Sequence, residues 1–205
     1  IAHGEAHRKR TKVNYRKYHA HLRKSTKTLS ELIRKYPKFQ EISRALYLRG
    51  KAYEELGKKT LAEKDYLRLV RNYPEIPETT SAYMSLAQFA IDSSQHQKAI
   101  PFLHEIEKRP HTSHYPFALY KLAWAYYNVR NISKGLSYLE RHIAFYNTKY
   151  SDQEDFLKTS DEAIRETSTL DAGLFYLDGF ELNPNQYSIK KALPYFKSLN
   201  NSPVI

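Results

Sequence analysis

The stretch YLRGKAYEELGKKTLAEKDYLRLVRNYP, residues 47–74, reads as two short amphipathic helices joined by a tight turn. Gly50 and Ala62 are small residues that let two helices approach closely, and Tyr53 and Tyr66 are spaced to fill the room beside them. Gly57 suits the turn that ends the first helix. Pro74 lacks an amide proton and stops the second.

The same grammar returns along the chain. Ala87 follows Gly50 by 37 residues and Ala99 follows Ala62 by 37; Leu103 takes the place of Tyr66, and Pro110 closes the unit. After a further 36 residues Ala123 matches Ala87, Tyr126 matches Ala90, Gly135 matches Ala99 and Leu139 matches Leu103. Upstream, LIRKYP ending at Pro37 precedes LVRNYP ending at Pro74 by 37 residues. Downstream, SIKKALPYFKSL carries Ala192 and Phe196 in the spacing of a second helix. Self-similarity at a fixed period of this length is the mark of stacked supersecondary units.

This pattern resembles the tetratricopeptide repeat family, a helix–turn–helix of about 34 residues. The resemblance is carried well by residues 43–145 and loosely by the flanks. Three departures accompany it: a period of 36–37, Ala90 in place of an aromatic, and His142 where a small residue is usual. It implies an all-α fold, a TPR-like right-handed α-solenoid of antiparallel helix pairs. The longer period with Tyr-Pro at repeat ends resembles bacterial envelope members of the family, of the Tol–Pal-associated or motility type.

Apolar periodicity predicts helices over 8–35, 40–56, 60–73, 78–93, 96–108, 114–129, 133–147, 152–178 and 187–199. Residues 178–188 read as the longest loop, and Asn131 and Ser151-Asp152 read as helix N-caps. The expected organisation is a basic N-terminal helix packing on the array over 1–38, and three repeats within 39–150 (about 43–74, 80–110 and 116–147). A further irregular helix pair, truncated at its end, follows over 151–205. The opening Ile1 and the closing NNSPVI both read as the ends of an excised piece.

In 205 residues, 41% are hydrophobic and 27% charged, which is a globular balance. The absence of cysteine excludes disulfides, thiolate metal sites and a cysteine nucleophile. No glycine-rich phosphate loop is present, and no apolar run is long enough to cross a bilayer. The net charge of +11 is uneven: residues 1–38 carry twelve Lys and Arg against Glu5 and Glu31, whereas the rest is close to neutral.

In this family the first helix of each pair faces the concave groove, so the resemblance implies groove positions from register alone. They are Tyr47 and Lys51 in the first unit, Met84 and Gln88 in the second, and Phe117, Tyr120, Trp124, Tyr127 and Asn128 in the third. Ala123 and Tyr126 are expected in the core. The third set places four aromatics on one helix face, which serves either as a partner anchor or as a surface covered by the helix after it. If a partner uses it, Trp124→Ala weakens binding and leaves helicity intact.

Residues 7–24 add a basic surface of Arg8, Lys9, Arg10, Lys12, Arg16, Lys17, Arg23 and Lys24, interleaved with Tyr15 and Tyr18. It suits an acidic protein or another anionic surface; the alternatives are an anionic membrane, a solvated helix that only aids solubility, and nucleic acid, which is disfavoured because no RRM, KH or recognition-helix signature accompanies the run. The acidic group Asp152, Glu154, Asp155, Asp161, Glu162 and Glu166 is its electrostatic complement. His111 and His114 lack ligand-spaced companions, so no metal site and no cofactor are expected. Ser188 and Lys191 stand in a Ser-x-x-Lys match without its companion motifs. The sequence therefore points to a non-catalytic scaffold that binds a protein or peptide partner in the groove. The family likeness suggests a periplasmic envelope complex, with the cytoplasm as the alternative.

Overall fold

The computed structural model describes the backbone of residues 2–149 and 155–201, and the side chains of 14–147 and 163–199. Among the described residues there are nine helices and no strand. They are α1 (Ala2–Lys35), α2 (Ile42–Glu55), α3 (Lys59–Asn72), α4 (Glu78–Asp92), α5 (His96–Glu107), α6 (Tyr115–Asn128), α7 (Ile132–Lys149), α8 (Asp155–Leu182) and α9 (Ile189–Asn201). The fold is all-α and of the TPR-like solenoid class. Two compact units divide it, Ile1–Phe89 and Ala90–Ile205.

In the first unit α2 packs on both α1 and α3. The α2–α3 contact depends on Gly50. A methyl group there would stand 2.6 Å from Cε1 of Tyr66, a side chain with no exposed surface. The turn between these helices is a Schellman motif: Lys58 N donates to Tyr53 O at 2.8 Å and Gly57 N to Glu54 O at 2.9 Å, with Gly57 at φ +70°. On α3, Tyr66 and Leu69 are buried, while Leu61, five residues before Tyr66, is exposed.

Arg49 locks three helices together. Its Nε and Nη2 donate to Asp65 of α3 at 2.7 and 2.6 Å, and its Nη1 donates to Ser30 of α1 at 2.9 Å. The planar guanidinium matches the carboxylate in two places at once, and Asp65 is buried, so removing either partner strands a charge. Sequence periodicity gave no hint of this pair. On α1 the inward residues Leu22, Thr26, Leu29 and Ile33 recur every three or four positions. At 1.5 Å per residue α1 is about 51 Å long against about 21 Å for α2, so α2 can cover less than half of it.

In the second unit α6 packs on α5 and α7, α7 packs on α8, and α9 touches α7 and α8. Ala123, Leu139, Ile143, Ala172 and Phe175 form the fully enclosed centre. Ala123 and Tyr126 are buried, at the core positions their register predicts. Two further Schellman turns follow α4 and α6. Gln95 N bonds to Ala90 O and Ser94 N to Ile91 O; Asn131 N bonds to Tyr126 O and Arg130 N to Tyr127 O. Ser94 and Arg130 therefore take φ of 55° and 63°, where glycine would be at ease. The three turn residues, 57, 94 and 130, keep the 37- and 36-residue period of the sequence.

Asn131 does cap α7, its Oδ1 accepting from Lys134 N at 3.2 Å. The proposed cap at Ser151-Asp152 lies outside the described residues. The loop expected over 178–188 is shorter than predicted, because α8 runs on to Leu182. Tyr187 accounts for the extension: its ring packs against Gly179, where a methyl group would stand 2.8 Å from Cδ2, and this contact holds the last turn of α8.

Candidate partner-binding surfaces

Tyr120, Trp124 and Tyr127 fall on one face of α6 because they stand at i, i+4 and i+7. Asp171, Phe175 and Asp178 have the same spacing on α8. The two rows meet. Tyr120 donates its hydroxyl to Asp171 Oδ2 at 2.8 Å, and Trp124 Nε1 donates to the same oxygen at 3.2 Å. Tyr127 donates to Asp178. Between the two carboxylates, Phe175 stacks on Tyr127 with centroids 4.1 Å apart and meets Trp124 edge-on at 5.1 Å. Burial, then Asp171, raises the Tyr120 hydroxyl pKa; the bond to Asp178, then burial, raises that of Tyr127.

Of the two occupants the sequence allows for this face, the structure shows the chain's own helix. Tyr120, Trp124 and Tyr127 are held by α8 and are half-buried against it. The matching i, i+4, i+7 spacing of Asp171, Phe175 and Asp178 is the signal for this pairing that the sequence carries. Phe117, one turn before Tyr120, is 56% exposed. Asn128 is exposed and bonds to Trp124 O at 2.8 Å.

The remaining groove candidates lie in the first unit. Tyr47 is half-buried, with its ring 6.3 Å from that of Tyr66. Lys51 pairs with Glu54 at 3.2 Å, and Glu54 also accepts from Tyr66 at 2.7 Å and from Ser85 at 3.2 Å. Burial, then Glu54, pushes the Tyr66 hydroxyl far above the ordinary phenol range. Met84 and Gln88 are half-buried on α4.

Lys51 also borders an open groove of about 670 Å³ between α1 and α2. Leu22, Leu29 and Leu48 give it an apolar floor, and Lys24, Lys51 and Glu55 give it a charged rim. Leu48 is 48% exposed. Of the basic surface, Arg16, Lys17, Arg23 and Lys24 are exposed on α1, while the side chains of Arg8, Lys9, Arg10 and Lys12 lie outside the described residues. So do those of Asp152, Glu154, Asp155, Asp161 and Glu162; Glu166 is exposed on α8.

A second polar network joins α5 and α7 through Glu107, which binds Arg141 and stands 2.6 Å from His104 Nδ1. Burial pulls its carboxyl up, but His104 and Arg141 outweigh this and hold it below the ordinary range. Tyr126 and Tyr138 stack beside it, 5.5 Å apart. Among the described residues no group of three His, Cys, Asp or Glu is arranged to hold a metal ion, and no helix is long and apolar enough to cross a membrane.

The α2–α3 pair, with Gly50 against Tyr66 and the Schellman turn at Gly57, contains the stretch of the chain that matches a known family. Residues 44–75 match the tetratricopeptide repeat family. No curated protein matches the chain. Among solved structures it is similar to BtubC (BKLC) from P. vanneervenii, with 14% identity and a TM-score of 0.58, over 88% of this chain and 75% of that one. It is also similar to the nearly identical TPR-like repeats of a candidate kinesin light chain from Podosopora anserina, with 16% identity and a TM-score of 0.54, over 91% of each chain. At such identity these likenesses speak for the fold. Tetratricopeptide repeats generally mediate protein–protein interaction and are typically non-catalytic.

Proposed function

We propose that this chain is a non-catalytic interaction module whose partner surface is the groove between α1 and α2. The observation that carries this reading is the contrast between the two candidate faces. The aromatic face of α6 is occupied by α8, whereas the α1–α2 groove keeps an uncovered leucine floor beside the basic flank of α1. An apolar strip edged by Lys24, Lys51 and Glu55, beside the exposed Arg16, Lys17 and Arg23 of α1, suits an amphipathic segment of a protein partner with an excess of acidic residues. Tyr47, Met84 and Gln88 would extend the contact surface of the same unit. Screening by salt would weaken the charged part and spare the apolar part.

As part of the same proposal, the partner complex is assigned to the bacterial envelope, on the 36–37-residue period and the Tyr-Pro repeat ends. Cell fractionation checks that assignment. The surface itself is tested by placing a photo-cross-linking residue at position 48 or at position 127 and exposing each protein to native extract. Specific adducts at 48 and none at 127 support the groove. Adducts that are nucleic acid or lipid would replace the protein partner with the alternative reading of the basic segment.

A further inference from the structure

A pocket of about 350 Å³ lies in the second unit among α6, α7 and α8. Three aromatic residues, Phe117, Tyr120 and Tyr146, contribute to its wall, and His142 lines it from α7. His142 is only 3% exposed, so its polar ring lies in largely apolar surroundings at the pocket wall. Its centroid is 5.3 Å from that of Tyr120 and 5.0 Å from that of Tyr146. In the repeat register a small residue is usual here, so the histidine departs from the pattern at this wall.

The protons around the ring can be assigned. Ser168 Oγ lies 3.0 Å from Ile164 O, and a carbonyl can only accept, so the single serine proton goes there. Ser168 Oγ must then accept from His142 Nδ1, 2.9 Å away. With Nδ1 protonated and the ring neutral, Nε2 keeps a free lone pair, and among the described residues no hydrogen bond reaches it. Two neighbouring hydroxyl protons are committed as well: Tyr120 donates to Asp171, and Thr167 Oγ1 to Ala163 O at 2.8 Å. None of the described lining residues carries a charged side chain.

Such a wall has apolar area and an acceptor, and among its described residues no cation that would reward an anion. We propose that this pocket receives a neutral aromatic ring bearing one hydrogen-bond donor, the side chain of a tyrosine or tryptophan on a protein partner, with His142 Nε2 accepting from its hydroxyl or indole N–H. The proposal rests on the reading of the chain as a protein-binding module, and it adds a residue-specific socket outside the α1–α2 groove. Phe117, exposed at the mouth, would pack on the incoming ring. The volume is of the size that holds a small ligand or one large side chain.

The test uses p-cresol and 3-methylindole as the rings, and toluene as the isostere without a donor. Ligand-observed NMR on the whole chain gives the affinities, and the imidazole 15N shifts of His142 report the acceptor. p-Cresol should bind roughly 2- to 10-fold tighter than toluene, the worth of one hydrogen bond, and move the Nε2 resonance. Thr167→Trp, which fills the pocket from an exposed position on α8, should abolish binding with the helical circular dichroism unchanged. A tyrosine-containing hexapeptide should compete with p-cresol, and its phenylalanine counterpart should compete less. Equal binding of p-cresol and toluene, retention in Thr167→Trp, or no competition by the tyrosine peptide would overturn the proposal. Cross-links at position 48 do not depend on any of these outcomes, so the two readings fail separately.

Discussion

Tyr127 of α6 stacks on Phe175 of α8 with ring planes 9° apart and centroids at 4.1 Å. Asp171 and Asp178 flank this contact and accept from Tyr120, Trp124 and Tyr127. The arrangement turns an aromatic surface that resembles a recognition face into an internal seam. Each polar tip finds an acceptor while each ring is half-buried against the fully buried Phe175, which is how packed tyrosine and tryptophan limit their desolvation cost.

Phe175→Ala should therefore cost about 3–5 kcal/mol, because a fully buried ring is lost from the seam. Urea unfolding measures the loss. Trp124 emission should shift to the red in the same variant while the chain is still folded. Trp124→Ala, expected from sequence to spare helicity, should instead lower stability.

Gly50→Val should destabilise by about 1–3 kcal/mol, since even one methyl would stand 2.6 Å from the Tyr66 ring. Thermal unfolding followed by circular dichroism reads the change. Tyr66→Leu in the same background should recover part of it, because the smaller side chain opens the space.

Arg130→Gly and Ser94→Gly should each stabilise the fold or leave it unchanged, by up to about 1 kcal/mol, against the usual direction for glycine substitutions in or near helices. Both residues hold a left-handed backbone that costs a side chain roughly 1–2 kcal/mol, offset by the greater unfolded-state entropy of glycine. The midpoint of urea unfolding decides the sign.

His142 gives a pH signature. Burial holds its pKa down at about 4, against an ordinary 6.5. The unfolded chain thus binds a proton that the folded chain refuses. Stability is fully present above pH 6.5 and falls as pH drops towards 4, by roughly 3 kcal/mol at most from this group. His142→Phe should flatten the difference between pH 6.5 and 4.5 in unfolding free energy, and leave the remaining acid sensitivity to carboxylates such as Glu107.

The helices were legible because their determinants are local. Small residues at a 37-residue spacing, amphipathic periodicity and stop signals all lie within one repeat, and the Schellman turns at 57, 94 and 130 keep that spacing. What covers the α6 face was not legible, because it depends on a pairing across about fifty residues between Tyr120 and Asp171 and between Tyr127 and Asp178. Register assigns a side chain to a face and says nothing about what lies against it. Arg49–Asp65 was not legible for a related reason: a charged residue on a helix reads as solvated, and its burial depends on the packing of neighbouring helices. His142 stood out in the sequence as a misfit to the repeat, and the structure gives the misfit a place, at the wall of an apolar pocket.

The most direct test of the account is the affinity of the cross-linked partner for two variants. Leu48→Asp puts a charge on the groove floor, and Trp124→Phe removes the indole donor from the internal seam. The account expects a loss of about tenfold or more for Leu48→Asp and little change for Trp124→Phe. Undiminished binding by Leu48→Asp together with a large loss in folded Trp124→Phe would contradict it.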